Sequence, residues 1–334
     1  MCYNDGMKLH LRKQLCAGLA ATLAMTALVG CSTETPESTF DNPPPWHDSA
    51  NSYEKLDYSV AIYDTTDSTD EDKRVKIADG ALSYTLTELE SGYVSLAMEF
   101  SVTYAADAPA PDAGLTDKIT SYVEFEMNSL AARTMTKTVE LADRENTVNR
   151  SYTVTADYFV NHTATYIQTK IDGAAEQTMS LTPDLCRDNE MMFYIARAQK
   201  IGEGVTGNFK MVNIFDSFNK GEFTQYRIAT SCGELHNLDI GDWVKDYGVE
   251  AVTDEETGVT NYPISARYTS LVINDEKHGP PYIVLYSEQP FTSDGKEHKK
   301  IPVRIEYSSY RGSTPYRHTE YTLNGCSFTK SQDI

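Results

Sequence analysis

One short polar segment holds the side chains whose types and spacing come nearest to known catalytic groups. Cys232 and His236 lie four residues apart, and a thiol beside an imidazole is the pair that nucleophilic cysteine catalysis uses. Asp239 and Asp242 follow, and two carboxylates can act as acid and base in a glycosidase, with Trp243 stacking on the sugar. The segment lacks a helical period, so its spacing does not bring Cys232 and His236 to one face. A chain this acidic also contains carboxylate pairs by chance, so the sequence favours a non-enzymatic protein.

Other chemistry-bearing patterns are missing from the sequence. The histidines do not pair at helical spacing and no Cys-x-x-Cys occurs, so we expect no metal site. No nucleophile elbow, phosphate loop or dinucleotide fingerprint is present, so we expect no cofactor. The net charge of −20 disfavours nucleic acid as a partner, because phosphate contacts need clustered lysine and arginine.

The thiol of Cys31 has the clearest chemical context. Lys8, Arg12 and Lys13 precede an uncharged run from Leu15 to Val29. This run has the length of a signal-peptide core and is short for a spanning helix. Its end, Leu-Val-Gly-Cys, resembles the lipobox of bacterial lipoproteins.

In lipoproteins of that kind, the cysteine thiol receives a diacylglyceryl group and becomes the new N-terminus. The resemblance implies a signal peptide over residues 1–30 and a lipidated Cys31. Two acyl chains anchor a protein stably, whereas one chain holds only marginally. We therefore expect a lipid-anchored, extracytoplasmic protein of a bacterial cell membrane, either periplasmic or on the cell surface.

Three further cysteines remain after Cys31, namely Cys186, Cys232 and Cys326. An exported protein can form disulfides, and three cysteines allow at most one internal pair. The sequence favours Cys232 with Cys326, because both close strand-like segments. Three free thiols are the alternative that the sequence leaves open.

The mature chain divides into a tether and one domain. Residues 31–55 are polar and rich in proline, which predicts a tether that lifts the domain off the membrane. Residues 56–330 alternate apolar and polar side chains in short runs separated by turn residues, most clearly over Val94–Tyr104. This period predicts a mainly β domain whose successive strands form an antiparallel meander.

One principal amphipathic helix interrupts the meander. Asp188 or Asn189 can cap it, Glu190 suits its first turn, and Gly202 lies just beyond its end. Its apolar face carries Met191, Met192, Ile195 and Ala198. This face either packs on the sheet as core or lines a cavity in which pliable methionines contact an apolar ligand.

The C-terminal strands carry a family resemblance. Lys299–Glu306, Gly312 and Tyr321–Leu323 resemble the closing strands of a family of bacterial envelope proteins with a domain of unknown function. The helix with Arg197, then Gly204 and Phe209, and Gly80 between two early strands fit the same family. That family is similar to half-barrel lipoprotein carriers, in which a curved antiparallel sheet wraps helices and can hold an acyl chain. The resemblance implies a half-barrel or open barrel-like sheet and supplies no catalytic residue.

These observations give three hypotheses about function. The leading one is a membrane-anchored lipoprotein that binds a lipid or another apolar ligand. The second is a structural or protein-interaction module of the cell envelope. The third is an envelope hydrolase built on Asp239 and Asp242 or on Cys232 and His236, which requires those side chains to converge in a cleft.

Overall fold

The computed structural model describes thirteen stretches of the chain. They are residues 40–41, 44–46, 53–66, 74–89, 92–109, 112–141, 150–160, 165–171, 177–181, 187–214, 223–273, 281–311 and 314–329. The predicted signal peptide, Cys31 and Cys186 lie outside these residues. The fold is that of these described residues.

Strands account for most of the described chain. They are β1 (Tyr53–Asp64), β2 (Val75–Glu88), β3 (Tyr93–Tyr104), β4 (Thr116–Glu126), β5 (Ala132–Leu141), β6 (Arg150–Val160), β7 (Thr165–Ile171), β8 (Gln177–Leu181), β9 (Thr206–Ile214), β10 (Phe223–Leu238), β11 (Val252–Thr253), β12 (Thr260–Asn261), β13 (Ile264–Ile273), β14 (Tyr282–Ser287), β15 (Phe291–Ser293), β16 (Lys296–His298), β17 (Pro302–Arg311) and β18 (Thr314–Ser327). The helix α1 spans Met192–Ala198, directly after a 3-10 turn at Asn189–Met191, and a second 3-10 helix spans Asp242–Tyr247.

Fourteen of these strands form one sheet. Their order is β8-β7-β6-β5-β4-β3-β2-β1-β18-β17-β14-β13-β10-β9, with antiparallel pairing throughout. The first and last strands, β8 and β9, do not pair with each other, so the sheet stays open. The prediction of a mainly β, antiparallel meander with one principal helix is confirmed.

Alternation of side chains explains why these segments form strands. In β1, Leu56, Tyr58 and Val60 are buried, while the residues between them are exposed or half-buried. Successive side chains of a strand point to opposite faces, so one face of the sheet carries the core. That core continues across the sheet and includes α1.

The sheet curves around α1. On one side, Tyr158 of β6 donates a hydrogen bond to Asp188, just before the helix. On the other side, Thr230 of β10 donates one to Gln199, just after the helix, at 2.9 Å. Strands β6 and β10 are ten positions apart in the sheet, roughly 48 Å if it were flat. The segment from Asp188 to Gln199 consists of the 3-10 turn and α1 with one residue at each end, and it spans only about 20 Å. The two halves of the sheet must therefore wrap around the helix.

Gly80 lies inside β2, where the sequence had suggested a position between two strands. A Cβ atom at this position would lie 2.1 Å from the carbonyl oxygen of Ser101 in the neighbouring strand β3. Only glycine allows this close approach, so Gly80 serves the packing of two paired backbones and does not mark a turn.

The packed part of the chain reaches further toward the N-terminus than the predicted boundary at residue 56. The compact unit runs from Glu37 to Ile334. The Asp41 amide donates to the Ala198 carbonyl at the end of α1 at 2.7 Å, and the Phe40 ring lies 6.4 Å from that of Phe209. Trp46 is only 4% exposed. We call the described residues 40–41 and 44–46 the strap, because this segment of the predicted tether lies against the helix.

The predicted disulfide between Cys232 and Cys326 is not formed, and both residues are free thiols. Cys232 lies on β10 and Cys326 on β18, four strand positions apart. This separation is roughly 19 Å along the sheet, whereas a disulfide needs its Cα atoms within about 7 Å. Both cysteines do belong to strands, as the sequence indicated, but to strands that are not neighbours.

Candidate functional site

The helix is held inside the sheet by a buried ion pair. Arg197 is fully buried, and its Nη1 and Nη2 lie 2.6 Å and 3.0 Å from the two carboxylate oxygens of Glu54 on β1. Arg197 also donates to the carbonyl of Lys299 at 2.8 Å, and the Tyr194 hydroxyl donates to Glu54 at 3.0 Å. Every hydrogen bond of this cluster is internal to the fold, so we assign it a structural role.

All four predicted ligand-facing residues of the helix belong to the core. Met191, Ile195 and Ala198 are fully buried, and Met192 is 5% exposed. Met192 also lines an open cleft beside the helix. The sequence left core and cavity open as alternatives, and the structure places all four residues in the core, with Met192 also at a cavity wall.

This cleft has a volume of about 200 Å³ and lies between α1 and the inner face of the sheet. Its walls are mostly apolar and aromatic, with a polar side. The lining residues are Leu82, Tyr84, Met98, Phe100, Ile119, Lys137, Asn189, Glu190, Met192, Phe193, Tyr282 and Tyr321. An engineered cavity of about 150 Å³ binds benzene, so this space suits a small apolar group.

Three tyrosines bring hydroxyl groups to the cleft. Tyr84, Tyr282 and Tyr321 line it, and none of their hydroxyls has a hydrogen-bond partner among the described residues. Burial raises the pKa of Tyr321 to about 12. Burial also raises the pKa of Tyr84 well above its usual value, with a smaller contribution from the charge of Glu190. These hydroxyls therefore stay protonated at neutral pH and can exchange hydrogen bonds with a ligand.

Charged side chains mark the polar side of the cleft. The Lys137 Nζ atom on β5 lies 2.7 Å from Oε1 of Glu190, and both side chains are largely buried. Glu190 sits in the 3-10 turn, and its backbone amide donates to Oδ1 of Asp188 at 2.8 Å. Asp188 therefore caps the turn that carries Glu190 to the cleft, as the sequence predicted for this helix start.

Asp188 is an unusual carboxyl group. Its side chain is buried and accepts hydrogen bonds from the Tyr158 hydroxyl and the Glu190 amide. Burial and, to a smaller extent, the nearby charge of Glu190 raise its pKa from 3.8 to about 7, although the hydrogen bonds and Lys137 act in the opposite direction. This group therefore changes charge near neutral pH, one residue away from the lining of the cleft.

The structure does not bring Cys232 and His236 together. Cys232 pairs with Thr269 across the ladder and His236 with Ala266, which places the two side chains on opposite faces of the sheet. The Cys232 thiol accepts from the Thr269 hydroxyl at 3.7 Å, whereas the His236 ring packs against Tyr268. A β-bulge between residues 232 and 235 shifts the register, so a spacing of four does not place them on one face.

Asp239 and Asp242 are also separate. Both are exposed: Asp239 accepts from the Gly241 amide at 3.0 Å, and Asp242 pairs with Lys245 at 3.1 Å. The Trp243 indole donates to the Ile240 carbonyl at 2.8 Å. The segment is an exposed turn with a docked tryptophan. Each carboxylate has its own partner, so the two do not form an acid and base pair in a cleft.

A second charged cluster covers the outer face of β17 and β18. Glu320 pairs with Arg74 and lies 3.2 Å from Arg304 and 3.3 Å from His318. The Ser308 oxygen is 2.9 Å from Nδ1 of the same histidine. Ser308, His318 and Glu320 are in contact in the order of a catalytic triad. However, Arg74 and Arg304 already pair with the Glu320 carboxylate. Despite its burial, these hydrogen bonds and charges lower the pKa of Glu320 to about 2, so the cluster fixes Arg74 on the sheet.

Two further properties of the described chain bear on function. No group of three or more His, Cys, Asp or Glu side chains in these residues is placed to hold a metal ion. No helix among them is long and apolar enough to cross a membrane.

Sequence reasoning missed the polar members of this site. Lys137 and Tyr84 look like ordinary strand residues, and Glu54 falls within the predicted tether. The contact of all three with α1 depends on the wrapping of the sheet. A usable signal existed in the alternation of β5, which places Lys137 on the same face as the buried Met135 and Val139. A lysine on the inward face departs from the apolar pattern of that face, and this departure indicates that the lysine has a polar partner within the fold.

Comparisons with known proteins give a distant structural likeness. No protein-family model and no curated protein matches the sequence. The fold is similar to the crystal structure of a beta-barrel-like protein of a domain of unknown function, DUF1849, from Brucella abortus, with a TM-score of 0.49 and 12% sequence identity. The alignment covers 84% of this chain and 98% of that one.

Proposed function

We propose that this protein is a non-enzymatic, lipid-anchored envelope lipoprotein that binds a small apolar or amphipathic ligand in the cleft beside α1. Lipidation of Cys31 attaches it to the outer side of a bacterial membrane. The open, wrapped sheet supplies a rigid concave wall, and the helix narrows that wall to a cleft. The ligand is a lipid or another molecule with an apolar group of matching size.

The observation that carries this proposal is the composition of the cleft. Met98, Phe100 and Phe193 are only partly buried and pack against the core while lining an open space. Binding sites for small molecules are concave and mostly apolar, with a few polar groups that orient the ligand. Lys137, Asn189 and the tyrosine hydroxyls are polar groups of that kind.

Native mass spectrometry of the protein released from its own membrane tests the proposal. The chain must keep the strap, because Trp46 and Asp41 contact α1 and Lys300. We expect a bound mass that organic solvent extracts and that a cleft-filling variant, Ile119→Trp, lacks. A bound mass of equal occupancy in the variant would contradict the assignment to this cleft.

A protein-interaction module is the second candidate, and one feature favours it. The hairpin of β11 and β12 exposes Val252 (55%) and Val259 (52%) beside the acidic turn Asp254-Glu255-Glu256. Replacing both valines by serine would weaken capture of an envelope partner without affecting ligand binding in the cleft. Unchanged capture from envelope extracts would remove this candidate surface.

A further inference from the structure

Aromatic rings form most of the wall of the cleft, and they stand at steep angles to one another. The rings of Tyr84 and Phe193 meet at 80°, those of Phe193 and Tyr282 at 73°, and those of Phe100 and Tyr321 at 56°. Rings at such angles enclose a space from several sides, unlike a flat stack. The face of each ring carries partial negative charge, which attracts a cation placed over it.

A carboxylate completes this aromatic cage on its polar side. Oε1 of Glu190 accepts from Lys137, and Oε2 has no hydrogen-bond partner among the described residues. Asp188 accepts from the Glu190 amide, but its raised pKa of about 7 leaves it only partly charged at neutral pH. Glu190 is therefore the main negative charge of the cleft, and this charge acts on both Tyr84 and Tyr282.

We propose that the cleft recognises an organic cation, namely an alkylated ammonium group. This inference rests on the proposed function and specifies the ligand class of the same site. The positive group lies among the rings of Phe193, Tyr282 and Tyr321 and faces Oε2 of Glu190, while its alkyl groups contact Met98 and Ile119. A carboxylate or phosphate at that position would face Glu190 and the negative ring faces, so the geometry disfavours an anion there.

The size of the cleft fits this chemistry. A volume of about 200 Å³ exceeds the roughly 150 Å³ that hold one benzene, so a trimethylammonium group fits with part of its substituent. Such a group occurs on free choline-like solutes and on the headgroup of phosphatidylcholine. The openness of the cleft to solvent admits either source, because only the ammonium end needs to enter.

Calorimetric titration of the purified full-length protein tests the inference. One titrant is choline chloride, and the other is neohexyl alcohol, in which carbon replaces the quaternary nitrogen; sodium chloride keeps the ionic strength equal. We expect choline to bind about tenfold more tightly, since each cation–π contact contributes on the order of 1 kcal/mol. Equal or tighter binding of the alcohol would overturn the inference and leave the cleft as an apolar site.

Single substitutions test which side chains cause the preference for choline over the alcohol. Phe193→Leu and Tyr321→Leu keep apolar volume on two different elements, and each should lower the affinity for choline several-fold while changing the affinity for the alcohol little. Glu190→Gln should act in the same direction. Tyr122→Leu is the matched control, because Tyr122 is 39% exposed and does not line the cleft. An equal loss in the control, or no loss in both leucine variants, would contradict the assignment.

A comparison of one soluble lipid with choline distinguishes the sources of the cation. Monomeric dihexanoylphosphatidylcholine that binds more tightly than choline would identify a lipid headgroup, and choline alone would identify a free solute; both support the inference. If neither choline nor the alcohol binds, the inference is wrong. Binding of the uncharged fluorophore N-phenylnaphthylamine, which carries no cation, then tests the proposed function of the cleft separately.

Discussion

At the scale of single residues, the Arg197–Glu54 pair links α1 to β1. A buried ion pair adds little net stability, because desolvation offsets its attraction, but removal of one partner leaves a buried charge without compensation. Here Nη1 and Nη2 of Arg197 and the Tyr194 hydroxyl all donate to the Glu54 carboxylate. The pair therefore specifies how the helix sits in the sheet.

Glu54→Gln should lower the free energy of unfolding by about 3 kcal/mol, because Arg197 would keep its charge in the core. Asp57→Asn is the matched control on the same strand, where the ion pair with Lys55 is about 40% exposed and should contribute little. Chemical denaturation measures both. The double change Glu54→Leu with Arg197→Met should recover part of the loss, and a smaller loss for Glu54→Gln than for the control would contradict this account.

Asp188 gives a second prediction at this scale, about pH. The folded protein holds the Asp188 proton up to its raised pKa of about 7, whereas the unfolded chain releases it near 3.8. This contribution to stability is complete below the unfolded pKa and is lost as the pH rises through 7.

The free energy of unfolding of the wild type should therefore fall by a few kcal/mol, in order of magnitude, as the pH rises from 4 to 8. In Asp188→Asn we expect this part of the fall to be absent. Denaturation at several pH values measures this slope, and Asn can still accept the hydrogen bond of the turn. Glu190→Gln serves as the control that should retain most of the slope. An unchanged slope in Asp188→Asn would show that this carboxyl does not titrate in the window.

At the scale of elements, the strap and α1 form one unit. The strap covers the C-terminal end of the helix, where the Asp41 amide meets the Ala198 carbonyl and Lys300 donates to the Gln199 carbonyl. Exposed carbonyls at a helix end need such partners. The Trp46 ring adds apolar area against Tyr194, at 5.6 Å between the two rings.

Trp46→Ala should destabilise the protein by about 3 kcal/mol, because it removes a large buried ring beside the helix. Trp46→Phe should cost far less, since the indole Nε1 has no hydrogen-bond partner among the described residues and the ring contact is retained. Thermal unfolding with helix-sensitive detection measures both changes. Equal melting temperatures for the alanine variant and the wild type would show that the strap does not support α1.

Local patterns predicted the elements well and their polar contacts poorly. The alternation of Val94 to Tyr104 and the capping residues before Met192 follow from short-range geometry, and the structure confirms both. Composition alone placed Trp46 in a tether, because proline-rich segments resemble linkers until a docking partner is known. The pairing of Glu54 with Arg197 could not be predicted from local sequence, because it joins positions 143 residues apart in the chain.

At the scale of the whole molecule, the length of chain between the proposed anchor and the strap limits how far the strap can lie from the membrane. Phe40 lies nine residues after Cys31, and nine extended residues reach about 30 Å. With Cys31 lipidated as proposed, the strap side of the β unit stays within that distance of the bilayer.

The central claim is that the cleft beside α1 admits a ligand, and a titration with the uncharged fluorophore N-phenylnaphthylamine tests it most directly. The wild type should enhance its fluorescence in a saturable way. Ile119→Trp, which fills the cleft, should abolish most of this signal, whereas Val272→Trp, which adds the same ring to a side chain 41% exposed outside the cleft, should retain it. Equal titration curves for the two variants, at equal melting temperatures, would contradict the account.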